Sequence, residues 1–456
     1  MADDVLSQIA AWATRRHTFS DKARLLARHA ILDTIGCIVA GGGHAAVAAV
    51  RSAQDLWGRS SGPSRIIGGG GATPSVAALV NGMAAHVLDF DDNFNPAITH
   101  ASAVLVPALL AIADARGTTG RELVDSYLVG LAAQAAIGRG VNPAHYRLGW
   151  HSTSTVGLIG TAAATARLMA LDHEATTAAM SLAVSMAAGC KGQFGTSAKP
   201  LHAGIAARNA VQAAELAACG ISGRADILEH SQGFLGLYHQ GEQGGWPDLR
   251  RSLPVEDEPH VIETDGLLPK RHPSCGSTHN VVDAVLDLRR QFNFRAEDVR
   301  FINAKIGTAN LANLPYENPV TEMEARFSMQ YCVAVALVSD HLRLADFTAT
   351  AIQREEIRAL LALTQVTAHT ADAEARAYPA QLPHEVIITL RDDTTYMASR
   401  ELAKGSIQEP FTDTERHGKF RDCCDRLDAS ATQQLLDVIE RLDELNDLGG
   451  LQPAFG

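Results

Sequence analysis

Cysteine is sparse and scattered in this chain. Seven occur in 456 residues, at Cys37, Cys190, Cys219, Cys275, Cys332, Cys423 and Cys424. The number is odd and no C-x-x-C pair occurs, which suits reduced thiols better than a disulfide framework or a thiolate zinc site. Basic excess is missing too. Lys and Arg total 39 against 51 Asp and Glu, a net charge of −12. A general nucleic-acid binder would show a basic patch instead, although local positive charge is not excluded. Long hydrophobic runs are absent. "GLAAQAAIGRGV" is too short and too rich in small residues to span a bilayer. The opening "MADDVLSQIA" is acidic and lacks the basic-then-apolar order of a signal peptide. There is no nucleotide fingerprint, no serine nucleophile elbow and no zinc-ligand spacing. These absences predict a cytoplasmic protein that uses no cofactor and no metal and contacts neither nucleic acid nor membrane.

What is present is apolar and helical. Apolar residues make up 46% of the chain, enough for a substantial core. "SDKARLLARHAILDTIGCIVAG" opens on Ser20 and Asp21, both good helix caps. "GGGGATPSVAALVNGMAAHVLD" reads as a glycine turn, then Thr73 as cap and Pro74 at the first helical position. The glycine run lacks the Lys-Ser/Thr that a phosphate loop needs. "ASAVLVPALLAIADARG", "TVGLIGTAAATARLMAL" and "AGIAARNAVQAAELAACG" predict closely packed, alanine-rich helices. "LPVEDEPHVIETDG" reads as a charged linker. Beyond it, "VRFINAKIG", "LTQVTAHT" and "HEVIITLRDDTTYMAS" show short β-type alternation, the last with a hairpin turn at "RDDTT". "THNVVDAVLDLRRQF" and "ARFSMQYCVAVALVSDHL" read as helices, and the chain is helical again from "FTDTERHGKFRDCCDRL". The expected architecture is mostly α. A large all-helical domain takes residues 1–262 and 403–456, and a smaller α+β lid takes 263–402.

Five stretches concentrate His, Lys, Asp and Tyr beside Gly or Pro. "HVLDFDDNFNPAITH" runs from His86 to His100 and carries Asp89, Asp91 and Asp92. It suits either a divalent cation or a polar loop after a helix, and the second motif of a metal-dependent synthase is missing. "NPAHYRLGWHST" brings His145, Tyr146, Arg147 and His151. An imidazole just before a helix tends to stay neutral, because the positive dipole end opposes imidazolium. "GTSAKPLHAG" places Lys199 at a helix start, where a cation is costly unless an anion lies nearby. That predicts a bound anionic substrate, with His202 only packing or bonding locally. "PKRHPSCGSTHN" offers Lys270, Arg271 and His272 beside a helix start, a good carboxylate site. Cys275 there is either a packed thiol or a low-pKa nucleophile. "LPYENPVTEMEARFSMQY" offers Tyr316 as an acid and a possible Glu324–Arg326 pair. Taken alone, these stretches describe an enzyme for a small anion and name no reaction.

Four of them, "NGMAAHVLDFDDNFNPAITHASAVLVPALLA", "GWHSTSTVG", "GTSAKPLHAG" and "KRHPSCGSTHNVVDA", together resemble the MmgE/PrpD family, in order over nearly the whole chain. The resemblance implies a helical domain, an α+β lid, a homodimer, and an active site between the domains. It also implies proton traffic at a carbon next to a carboxylate. The family's decarboxylase branch matches at Asp89, His100, His151, Lys199 and Lys270. It departs at Asn93, Cys275 and Asn313, which stand where that branch has a threonine, a histidine and a tyrosine. The resulting expectation is a cofactor-independent lyase, of dehydratase or decarboxylase type, for a small di- or tricarboxylate. The alternatives are an epimerase of an imino- or aminodicarboxylate such as iminodisuccinate, or a non-catalytic anion binder. His151, Lys199, Tyr146 and His100 are the expected catalytic residues. Asp89, Asn93, Lys270, Arg271 and Cys275 are the expected substrate contacts.

Overall fold

The computed structural model describes residues 4–57, 61–239, 244–255, 257–339, 341–377 and 381–456. The helix Asp21–Gly41 begins where Ser20 Oγ accepts the Ala23 N–H at 2.9 Å. The Gly120–Val141 helix opens on a capping box of Thr119 and Glu122. The runs read as alanine-rich helices become Ala101–Arg116, Val156–Leu168 and Ala198–Ala218. Their small side chains let backbones approach. A Cβ on Gly82 would lie only 2.9 Å from Gly204 Cα, and a Cβ on Gly204 only 2.4 Å from Leu79 O. The helices Pro74–His86 and Ala198–Ala218 therefore cross in direct backbone contact. That crossing sets the C-terminal end of one, at His86, beside the start of the other, at Lys199.

Buried apolar residues form two clusters. The larger gathers the helices up to Ile262 and the C-terminal helices Asp413–Cys423 and Ala429–Glu440. The smaller gathers residues from Cys275 to Leu390. In it, four strands run in the spatial order Thr364–Ala368, Val299–Ile306, His384–Leu390, Thr395–Arg400. The first pair is parallel and the other two are antiparallel. His384, Val386, Ile388 and Leu390 alternate inward, the period-2 pattern of a half-covered sheet. The helices Gly276–Phe292 and Met329–Ser339 contribute to the same core. The "RDDTT" turn joins the last two strands, with Asp393 at φ +70°. The protein is mostly α with a smaller α+β part.

The stretch read as a linker is not free. His260 is buried, its Nε2 donating to Leu128 O at 3.0 Å and its Nδ1 accepting the Ile262 N–H at 3.1 Å. All seven cysteines are free thiols. No single helix among the described residues is long and apolar enough to cross a membrane.

Candidate active site

After His86 the chain turns sharply. Asp89 sits in the left-handed region at φ +50°, a conformation that Asp tolerates better than most residues. The turn buries its carboxylate and presents it to two lysines. Lys199 pairs with Oδ1, and Lys270 Nζ lies 3.0 Å from Oδ2 while donating to the Asp89 carbonyl at 2.8 Å. Both lysines are buried. Burial pushes the Asp89 carboxyl up, but the Lys199 and Lys270 ammoniums outweigh it and hold it well below the usual carboxylate range. The sequence predicted an anion near Lys199 and assigned it to substrate; the structure supplies Asp89 as that anion. Lys199 Nζ also lies 5.1 Å and 4.9 Å from the ring centroids of Phe194 and Phe327, within cation–π range.

Three imidazoles adjoin this cluster. The His86 and His100 ring centroids are 4.4 Å apart, His86 and His151 5.9 Å, His100 and His151 6.4 Å. His86 Nδ1 donates to Asp91 Oδ2 at 2.9 Å, and His100 Nδ1 donates to Asp92 O at 2.9 Å. Burial lowers all three rings, His86 to about 3 and His151 well below the ordinary value, with Lys199 next in effect on His151. They are neutral at pH 7. For His151 the cause is burial more than a helix dipole, since the next helix begins only at Val156. Asp92 is pushed up to about 7 by burial, against the opposing hydrogen bond from Ser102.

A third group of polar residues meets at the start of the Gly276–Phe292 helix. Tyr146 Oη donates to Asn313 Oδ1 at 3.3 Å, and Asn313 Nδ2 donates to Ser277 Oγ at 3.3 Å. Asn93 pairs its backbone with Leu268 and sets its Nδ2 against Gly276, where a Cβ would come within 2.7 Å. Cys275 is buried at the head of the helix. Its thiol is pushed up by burial and then by Asp89, so it is a packed thiol and not a low-pKa nucleophile. Burial also raises Tyr146, which stays a phenol and a donor. Asn93, Cys275 and Asn313, the three departures from the decarboxylase pattern, thus share one neighbourhood.

Arg271 is not drawn into this cluster. Its guanidinium donates to Asp283 Oδ1 at 2.9 Å. It lines a cavity of about 490 Å³ with Phe90, His272, Phe411 and Lys419, to which Asp89, Lys199 and the three histidines do not contribute. Tyr316 donates to Phe194 O at 3.3 Å. Arg326 does not pair with Glu324, which serves as a cap partner for Thr321. It lies buried and donates to Leu88 O at 2.9 Å and Pro273 O at 2.7 Å, tying the Asp89 loop to the Lys270 loop. Sequence reasoning left two residues without a place here. Lys191 holds its ammonium 3.5 Å from the Tyr146 ring centroid, lowered to about 8 by burial, and nothing in "GCKGQFG" signals it. His202 was expected only to pack or bond locally, and its Nδ1 lies 3.2 Å from His151 Nδ1.

Among the described residues, two trios, His86–His100–His151 and His86–Asp89–Asp91, have one donor atom each within 4.8 Å of the others, a spacing a metal ion could use. A dication there would face both the Lys199 and Lys270 ammoniums, and Asp89 is already neutralised by them.

Comparison with known proteins agrees along the whole chain. A model of the MmgE/PrpD N-terminal domain matches residues 7–246, and one of the MmgE/PrpD C-terminal domain matches residues 272–444. The cis-aconitate decarboxylase of Homo sapiens is 29% identical over 82% of this chain and 78% of its own length. The cis-aconitate decarboxylase of Aspergillus terreus is 25% identical over 98% of this chain and 95% of its own length.

Proposed function

The chain belongs to the MmgE/PrpD family and is an enzyme of that type; from that premise we propose a lyase that works by proton transfer at a carbon next to a carboxylate of a small di- or tricarboxylate, without an organic cofactor. The observation that carries this reading is the buried Lys199–Asp89–Lys270 cluster set against neutral imidazoles. A carbon acid beside a carboxylate is weak, and its reaction passes through an enediolate. Two ammoniums outnumber the single carboxylate they share, so positive charge remains to meet the developing negative charge. Asp89 holds them in place before substrate arrives, which removes reorganisation from the reacting step. Neutral His151 takes or returns the proton, with His100 beside it. Tyr146, a protonated phenol, donates to a substrate oxygen. Lys270, Asn93 and Cys275 shape the pocket wall. Cis-aconitate, the substrate named for both relatives, is the first tricarboxylate to try. A second reading, an epimerase, draws on the two separate imidazoles His100 and His151, since inversion needs a proton carrier on each face.

Incubating the enzyme with a panel of di- and tricarboxylates in deuterated water separates these readings. A lyase yields a product of different formula. An epimerase returns a stereoisomer that gains only deuterium. If none of the panel changes formula and one is inverted with label, the lyase reading is wrong.

A further inference from the structure

Among the histidines of the site, His86 and His100 have their tautomers fixed by acceptors. Asp91 and the Asp92 carbonyl can only receive a hydrogen bond, so Nδ1 carries the proton in both rings. His151 has no such fixed partner. Its Nδ1 faces His202 Nδ1 at 3.2 Å, with the rings tilted by 50°. Two neutral imidazoles at that distance share one proton, so one nitrogen donates and the other accepts. Nothing separates them. The neighbouring Gly189 sits at φ +127°, and a Cβ there would come 3.3 Å from His202 Nδ1 and 2.9 Å from Ser154 Oγ. The other nitrogen of His151, Nε2, is buried and has no hydrogen-bond partner. Among charged groups, the Lys199 ammonium has the largest effect on this ring. A buried N–H without an acceptor is rarer than a buried lone pair without a donor, so the unpartnered Nε2 is the bare nitrogen.

We propose that His202 is a positioning residue whose bare Nδ1 accepts the Nδ1–H of His151, fixing His151 Nε2 as the nitrogen that exchanges a proton with the substrate carbon. When Nε2 takes the proton, the C–H pair passes into the enediolate and His151 becomes imidazolium. Its Nδ1–H remains donated to His202, which stabilises that charge. When the proton is returned to carbon or to a leaving group, the same hydrogen bond persists, so one arrangement serves both directions. The role rests on His151 being the proton carrier of the proposed reaction.

The test has a substrate-free arm and a kinetic arm. Imidazole ¹⁵N NMR of the wild-type protein should show His151 protonated at Nδ1 and bare at Nε2. His202→Leu removes the acceptor, so the Nε2–H form should appear. Its kcat should then fall about tenfold to a hundredfold, the range for a partner that orients a functional imidazole. KM should stay within about twofold, because the ring touches no substrate. His202→Asn presents Oδ1 to the same N–H and should recover most of the loss. The proposal is overturned if wild-type His151 carries its proton on Nε2. It is also overturned if His202→Leu keeps full kcat, or if folded His202→Asn is no better than His202→Leu. The NMR arm decides even if a variant fails to fold. An enzyme inactive on every carboxylate tried would refute the proposed function and leave the tautomer measurement decisive.

Discussion

Lys199 shows how far one residue can be read from its neighbours. Its position at a helix start implied an anion, and that inference needed only the dipole argument. Which anion could not be read, because Asp89 lies 110 residues away in sequence and is joined to Lys199 only by folding. The difference changes a prediction. Were the substrate its only partner, removing Lys199 would leave stability almost untouched. With Asp89 as partner, Lys199→Met leaves a buried carboxylate with one ammonium where it had two. Stability should fall by about 1–3 kcal/mol, the cost of leaving the buried Asp89 Oδ1 without its hydrogen-bond donor. kcat/KM should fall about 10²–10³-fold, the scale for one preorganised electrostatic partner. Adding Asp89→Asn to the same chain should lower stability further, because the buried Lys270 then has no carboxylate partner, and should leave activity low. Urea unfolding and steady-state kinetics on the wild type and the two variants check this, and a double variant more stable than Lys199→Met would contradict it. Asp89 and Lys270 were both candidates in the sequence and the structure brings them together; their mutual pairing was not legible. Arg271 stood next to Lys270 in sequence and turned instead toward Asp283, because adjacent residues on an extended loop point to different sides.

Elements were more legible than contacts. Ser20 as a cap, Pro74 at a helix start and the "RDDTT" turn are local signals, and each appears where local chemistry puts it. The "VEDEPHVIE" segment misled because its polarity is local while the acceptor of His260, Leu128 O, is distant. Small residues in the helices carried the strongest long-range message. At Gly204 an added Cβ would meet Leu79 O at 2.4 Å, and backbone cannot step aside as a side chain can. Gly204→Ala should therefore destabilise by about 1–3 kcal/mol through overpacking. It should also lower kcat beyond what the stability loss explains, since Lys199 rides on the same helix. Gly418 sits within the helix Asp413–Cys423 with nothing within 4 Å of an added Cβ. Gly418→Ala should stabilise by about 0.5–1 kcal/mol, the helix preference of Ala over Gly, and leave kcat unchanged. Thermal melts and kinetics of the pair settle both. If the two substitutions behave alike, backbone contact at the helix crossing is not what Gly204 provides.

At the scale of the molecule, buried neutral histidines make the fold sensitive to acid. His86, His260 and His279 are each lowered by burial to about 3. Below pH 6.5 the unfolded chain binds protons at these rings and the folded chain does not, so stability is lost as pH falls. Each ring costs about 1.4 kcal/mol per pH unit across that window. Asp92 acts in the opposite sense. Raised to about 7, it keeps its proton in the folded state, so its contribution declines as pH rises from about 4 to 7. Three rings against one carboxyl leave a net loss toward acid. The melting temperature should drop by several degrees between pH 6.5 and 5, before ordinary carboxylates titrate, and a flat profile over that range would refute the account.

The buried guanidinium of Arg326 has a consequence for how the gene can be cut. It lies between Ala325 and Phe327 of the smaller core, and it donates to carbonyls in the loops bearing Asp89 and Lys270. His86, His100 and Lys199 stand at the ends of helices that build the larger core, and Arg326 ties the loops of Asp89 and Lys270 to the smaller one. On the proposed function, neither half expressed alone should turn over substrate. A split version of this protein should regain turnover only when both fragments are mixed, making it a natural reporter of its own reassembly.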